Sequence, residues 1–591
     1  MSAPARLRYL LAALAAAALG ADAPPPSAAQ KAEAVQVMKS LQELAAATGP
    51  AKDVPKEKPK ARPELTVEEV LKAAGRPART VEKTTVDAAY VDALLDKTLI
   101  EAKTPAAKLT GDEEFVRRIC LDVAGKLPTA EQVRSFVQSK NARKRADLVD
   151  YLLASPDYGK NWARYWRDVI RYRATPNNPG QVNFPSLEDW LAEQIDKNTP
   201  WDEVVRAMIA GTGETQKDGA TVFAAAHNGQ AVELAGEVSR VFMGVQIQCA
   251  ECHDHPNDPW KREQFHQFAA FFGGVISKPN AKGGMATGIE VSDRPNAPNY
   301  RMPDLKDPKT QIPVAPRFFL ADSDVPTPGR LTSHLRRELA ASYVVGQDNP
   351  WFAKAFVNRV WGTLMGEGFY TPIDDLGPTR KAAAPEVIDA LADAWQKGGY
   401  DVRWLFRTIL NTRAYQREFR STASAAGKTP FAANCASRLR ADQIFDALAQ
   451  ALDLPQDLAA PKEQLKAAGK AARAAGKGQR GLINVLFGVD PSTPTEDILG
   501  TIPQALFMMN GPEINRAIQA RPNTMLGQLL VTHPDDGDAI NALYFKVLAR
   551  RPNGEERATL GRYIAKHNNR PEAYEDILWS LINTTEFISR R

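Results

Sequence analysis

The sequence predicts a mainly α-helical protein: two helical domains joined by a loop-rich segment with minor β structure. Three observations carry this. Apolar residues recur at helical spacing through most of 87–277 and 330–591. Between them, 278–329 is dense in Pro, Asn, Asp and Gly, the composition of turns and loops. No repeat of fixed period runs through the chain, which sets solenoids aside.

The elements follow in order. Residues 1–23 read as an export signal. Arg6 and Arg8 precede an apolar run of about eleven residues, then small residues suited to cleavage. That run is too short for a bilayer core, which needs about 20 residues, and no later stretch is long and apolar enough. Residues 24–86 are rich in Ala, Pro and Lys and read as a tether, with a helix around 30–47. The folded part is expected from Asp87. Helices are predicted over 87–101, 114–121, 129–137 and 143–153. Leu127-Pro128-Thr129 supplies a break and then a cap. Residues 158–172 carry an aromatic stripe, Trp162, Tyr165 and Trp166, read as buried packing. Two more helices, 231–245 and 263–272, bracket 249–253. A short strand is expected over 314–320. Within the second helical domain, 453–481 is an Ala/Lys/Gly-rich surface insertion.

Charge is nearly balanced, 75 basic against 70 acidic residues, net +5, with the basic residues dispersed. That gives no nucleic-acid footprint. The chain has four cysteines and seven histidines. Two of those cysteines make Cys249-Ala250-Glu251-Cys252-His253, a C-x-x-C-H pentapeptide. Chance would produce it in about 3 in 10,000 chains of this composition. It is the pattern of covalent haem c attachment: two thiols for thioether bonds and a histidine as proximal iron ligand. One helical turn puts the two sulfurs on the same side. Cys120 and Cys435 read as separate buried thiols.

A distal iron ligand is harder to find. His255 lies two residues after His253, a reach of at most ~7 Å, too short to round a porphyrin. Met243, His227 and His266 remain candidates. His255 is then a haem-propionate partner, a group orienting its neighbour, a metal ligand, or a turn histidine ahead of Pro256. A non-haem site is the main alternative, with zinc or iron held by the cysteines and by His253 and His255. A third reading is a secreted scaffold without cofactor. In the second domain, Asn358, Arg359, Asp374, Asp375 and Arg413 are polar residues in apolar surroundings. The adjacent aspartates read as a turn, a cap or partners of arginine. No Ser-His-Asp order, phosphate loop or dinucleotide fingerprint occurs.

Several segments together resemble a known pairing. In the first domain these are 115–128 (FVRRICLDVAGKLP), 152–158 (LLASPDY) and 242–256 (FMGVQIQCAECHDHP). In the second they are 349–353, 357–361, Asp374-Asp375, 410–415, 438–442 and 584–587. They resemble the planctomycete-type cytochrome c-like domain of unknown function (1549) followed by its usual C-terminal partner (1553). The resemblance implies an exported cytochrome-like protein, periplasmic or extracellular, with a redox partner or substrate outside the cytoplasm, and no established reaction. Electron transfer or extracytoplasmic oxidation is the expectation. This chain has Ala384-Pro385-Glu386 where the partner domain commonly has His-Pro-Glu, so a role for that histidine does not carry over.

Overall fold

The described residues begin at Thr66, and they are folded well before Asp87. The Thr66 hydroxyl accepts from Glu69 N, and the Glu69 carboxylate accepts from Thr66 N, capping α1 (Val67–Ala73). Val70 is buried, and Arg76 pairs with Asp348, donates to the Ser342 carbonyl and lies 4.6 Å over the Tyr343 ring. Arg79 pairs with Asp202, and Glu82 N donates to the Lys397 carbonyl. The end of the predicted tether is therefore a strap bound to the body. The computed structural model describes residues 66–76, 79–176, 182–282, 285–295, 300–321, 331–420, 429–456 and 478–590. Contacts separate Met1–Glu64 from Leu65–Arg591, and every described residue lies in the second unit. The export signal, the helix around 30–47, most of the tether and most of the 453–481 insertion lie outside the described residues.

The expected helical run follows: α2 (Ala88–Glu101), α3 (Asp112–Ile119), α4 (Ala130–Gln138), α5 (Lys144–Leu153), α6 (Pro156–Arg171), α7 (Phe184–Asp196) and α8 (Trp201–Ala210). Caps set their starts. Asp87 accepts from Tyr90 N, Thr129 forms a box with Gln132, and Ser155 precedes a proline at the first position of α6. After β1 (Gly213–Glu214) come α9 (Val222–Ala226), α10 (Ala231–Val238) and α11 (Arg262–Ala269).

The loop-rich segment carries the minor β structure. β2 (Val275–Lys282) pairs antiparallel with β3 (Met285–Asp293), which also pairs with β1. β4 (Tyr300–Pro303) pairs antiparallel with β5 (Gln311–Val314), Tyr300 opposite Val314. The strand expected over 314–320 is instead the end of β5. Past Val314, Phe318 and Phe319 turn inward to meet Phe268 and, for Phe318, Tyr343 at 5.2 Å. The backbone leaves the ladder after Val314 and turns at Phe319–Leu320.

The second half is helical again: α12 (Ser333–Val344), α13 (Pro350–Met365), α14 (Pro385–Lys397), α15 (Val402–Leu410) and the short α16 (Arg413–Gln416). β6 (Phe419–Arg420), β7 (Asn434–Cys435) and β8 (Ser437–Arg438) precede α17 (Ala441–Leu452), α18 (Gly478–Phe487), α19 (Ile502–Asn510), α20 (Pro512–Ala517), α21 (Met525–Thr532), α22 (Asp536–Leu548), α23 (Gly554–Lys566) and α24 (Arg570–Ile582). The chain closes with β9 (Ser589–Arg590) paired to β8.

Two apolar cores result. The larger one draws on residues from both sides of 278–329. At its centre Trp166 of α6 stacks on Phe356 of α13 (5.6 Å, 5°), and Phe356 on Trp395 of α14 (4.4 Å, 6°). Such pairs add about 0.5–1.5 kcal/mol each beyond area burial. This is the packing role expected of the α6 aromatic stripe. The smaller core gathers α17 to α24 with Leu121 and Leu127.

Candidate functional site

The pentapeptide sits where α10 runs out. The helix continues past Val238 as one wide π-turn, Ser239–Met243, and stops at Gly244, whose φ is +65°. A Cβ at Gly244 would lie 2.8 Å from Leu376 Cδ1, and the left-handed backbone there favours glycine. The Gly244 carbonyl accepts from Leu376 N at 2.7 Å, and Ser239 Oγ donates to the Val245 carbonyl. Ile247 and Ala250 are buried, and the 3₁₀ turn Ile247–Ala250 hangs from them.

Cys249 and Cys252 both face outward from that turn, exposed and unbonded to one another. His253 is also exposed. Its Nδ1 lies 2.6 Å from the Asp254 carbonyl oxygen. A carbonyl only accepts, so Nδ1 is the donor, and Nε2 is the ring nitrogen left for a ligand. The Asp254 carboxylate in turn accepts from Arg262 N (3.0 Å) and Lys261 Nζ (2.9 Å) at the start of α11, which holds its pKa below the ordinary value, the Lys261 bond first and the Arg262 bond second.

His255 has a structural task. Its Nδ1 accepts from Asn257 N (3.2 Å) and Asp258 N (2.9 Å), and its own N–H donates to the Trp260 carbonyl. The ring thus closes the turn that the Pro256 signal suggests. Asp258 is held by Thr379 and by Arg380, 3.4 Å away. Among the described residues no three His, Cys, Asp or Glu side chains are grouped to hold a metal ion. The zinc or iron cage of the second reading is not assembled there.

The distal-ligand candidates are engaged or enclosed. His266 uses both ring nitrogens, on Tyr300 Oη and the Glu251 carbonyl. Met243 and His227 are fully buried. The rings of Phe265, Phe268 and Phe272, which would serve as an apolar haem wall, are instead enclosed in the larger core, with Phe268 against Phe318 and Phe319. The donor set still meets the needs of covalent haem: two free, outward thiols three residues apart and an imidazole fixed with Nε2 available.

A buried charge cluster lies behind this surface. Arg240 bonds Glu237 (2.7 Å), Asp374 (2.7 Å), Ser492 Oγ and the Val169 carbonyl. Arg359 lies 4.0 Å from Asp374 and bonds Ser492 Oγ at 3.1 Å. Gln246 Nε2, three residues before Cys249, reaches Asp374 at 3.4 Å. Burial pushes the Asp374 carboxyl up, but Arg359 and Arg240 outweigh it and hold the pKa below the ordinary value. Asn358 shapes the loop ahead of it, donating to the Tyr370 and Ile373 carbonyls and accepting from Tyr370 N. Asp375 pairs with Arg380, and Arg413 with Asp92 and Asp96. The polar residues singled out in the second domain are therefore arginine–carboxylate partners and loop clamps. Sequence inspection missed Glu237 and Arg240, because they sit inside the apolar periodicity of α10 and its extension.

The remaining cysteines are far from this chemistry. Cys120 and Cys435 are buried free thiols, pushed by burial up to about 12 and about 11. Ala384 caps α14 without a side-chain bond, and Glu386 pairs with Lys97.

Two family models match the chain. PSCyt2, a protein of unknown function (DUF1549), covers 90–276, and PSD1, a protein of unknown function (DUF1553), covers 336–484. No curated protein and no solved structure matches. With the pentapeptide inside the first segment and the charge cluster joining it to the second, the chain pairs a PSCyt2 segment with a PSD1 segment, two families of unknown function.

Proposed function

We propose that this chain is an exported haem c protein that passes electrons to or from a partner or substrate outside the cytoplasm. Cys249 and Cys252 would hold the haem by thioether bonds and His253 would ligate its iron through Nε2. The observation that supports this best is the 2.6 Å contact between His253 Nδ1 and the Asp254 carbonyl. It engages Nδ1 as the donor and orients the ring, the contact a metal-bound imidazole makes through its other nitrogen. When bound, haem supplies a one-electron couple. The chain's own residues orient the ring, anchor the turn on Ile247 and Ala250, and leave the attachment face open to a partner.

Expression in a host with haem-attachment machinery tests the reading. The expected product shows a sharp α-band on reduction and keeps its chromophore through acid-acetone extraction. Loss of that chromophore in Cys249→Ala/Cys252→Ala is also expected. A wild-type product without absorbance from haem would overturn the proposal.

A further inference from the structure

One pair of side chains touches the pentapeptide and has chemistry of its own. His266 is buried on α11, and Tyr300 is half-buried at the start of β4. Tyr300 Oη lies 2.9 Å from His266 Nδ1, and His266 Nε2 lies 3.1 Å from the Glu251 carbonyl oxygen, between the two cysteines. The rings stack at 5.9 Å and 29°. Because the carbonyl can only accept, Nε2 carries the imidazole proton and Nδ1 offers its lone pair. Tyr300 is therefore the donor to Nδ1. Burial first, and the Glu251 charge second, push the phenol up to about 12. Burial also lowers the imidazole below its ordinary value, against the bond to the Glu251 carbonyl. The resting pair is a neutral phenol bonded to a neutral imidazole.

We propose that Tyr300 and His266 form a redox-active phenol–imidazole pair, a one-electron relay beside the haem-attachment peptide. In the step, Tyr300 is oxidised by one electron. Its O–H bond breaks as the proton moves to His266 Nδ1, where an N–H bond forms. The products are a neutral tyrosyl radical and an imidazolium whose Nε2–H still donates to Glu251. Return of one electron sends the proton back. The electron acceptor is a one-electron oxidant of higher potential than the phenol, of the class that haem supplies after reaction with peroxide. For that natural oxidant the proposal rests on the haem reading. The chemistry of the pair does not. Without the imidazole, oxidation would leave a strongly acidic phenol radical cation in a half-buried site or would need prior ionisation, which the partial burial opposes. Proton transfer across an existing hydrogen bond avoids both.

The test uses the full chain, haem-free, carrying Cys249→Ala/Cys252→Ala to remove competing thiols. A photogenerated ruthenium(III) polypyridyl complex is the oxidant. Transient absorption and electron paramagnetic resonance read the tyrosyl radical. The parent should show a fast phase at least about tenfold faster than its other tyrosines, slowed in D₂O. Tyr300→Phe should abolish that phase. His266→Gln, which cannot take the proton, should slow it to the background rate. A parent without a fast phase overturns the proposal, and so does a fast phase that survives in Tyr300→Phe. Survival in His266→Gln with an unchanged isotope effect overturns the role of the imidazole. Circular dichroism checks the fold of each variant. Should His266→Gln fail to fold, the D₂O effect and the hyperfine coupling of the transferred proton in the parent decide. Haem attachment is scored separately by its α-band, so failure of that reading is distinguishable.

Discussion

Asp374→Asn is the sharpest probe of how the two family segments are joined. Asp374 is 2% exposed, and it is the carboxylate that Arg240 and Arg359 share. At an effective dielectric of about 20, charges at the observed separations interact by about 6 and about 4 kcal/mol before desolvation is subtracted. Breaking a buried pair by removing one partner costs about 3–5 kcal/mol. Asparagine keeps an acceptor for Arg240, and Glu237 still neutralises that guanidinium, so the lower end applies, about 3 kcal/mol. Urea unfolding followed by tryptophan fluorescence reads it, since Trp166, Trp361 and Trp395 lie in the core concerned. The midpoint should fall with the slope unchanged. The pH dependence adds a second reading. The folded pKa of Asp374 is lowered, so its stabilisation is complete above the unfolded value, about 3.9. It is lost as pH falls through the folded value. The gap between wild type and variant should therefore narrow on acidification. A variant within about 0.5 kcal/mol of wild type, or a gap indifferent to pH, would show that this carboxylate is not the shared buried anion described.

Other consequences are simpler to measure. In the haem-free chain two thiols, Cys249 and Cys252, should react rapidly with a thiol reagent, and the buried pair Cys120 and Cys435 only on unfolding; four fast thiols would contradict the burial. Gly244→Ala forces a side chain into positive φ against Leu376, so a loss of about 1–2 kcal/mol with faster amide exchange over 244–255 is expected, and unaltered exchange would refute the clamp. Trp395→Ala should cost about 3–5 kcal/mol, read as a lower urea midpoint. His255→Ala removes the acceptor of two backbone N–H groups and should weaken the turn without abolishing haem attachment; complete loss of attachment would make His255 a ligand after all.

The helices were legible because their information is local. The Thr129 cap and the aromatic stripe of α6 are written within one or two turns. The pentapeptide was legible for the same reason. α1 was missed although Thr66 and Glu69 spell a capping box, because the Lys and Pro around them dominate any compositional window. The partners of the site were not legible, because they are distant in sequence. Nothing near Arg240 announces Asp374, and nothing near His266 announces Tyr300. Those pairings depend on where α13 and β4 arrive after long excursions. The aromatic face of α11 suits either a haem wall or packing, because spacing cannot say which apolar partner a ring meets; for Phe268 it is Phe318 and Phe319.

That last point bears on why the attachment would be covalent. A haem held by contacts alone needs a deep apolar cleft, and the rings nearest the pentapeptide are committed to the protein core. On the open turn of Cys249 and Cys252, thioether bonds supply retention that packing does not. Of the distal ligands the sequence offers such an iron, none has a free donor atom at the surface: His266 is doubly bonded, and Met243 and His227 are enclosed. A cofactor held covalently on this exposed, doubly clamped loop would suit contact with a partner surface better than enclosure of a small substrate. The rigidity comes from the second family segment, through Leu376, Asp374 and Arg380. This gives the pairing of the two segments a physical purpose: the first carries the C-x-x-C-H peptide, and the second clamps it.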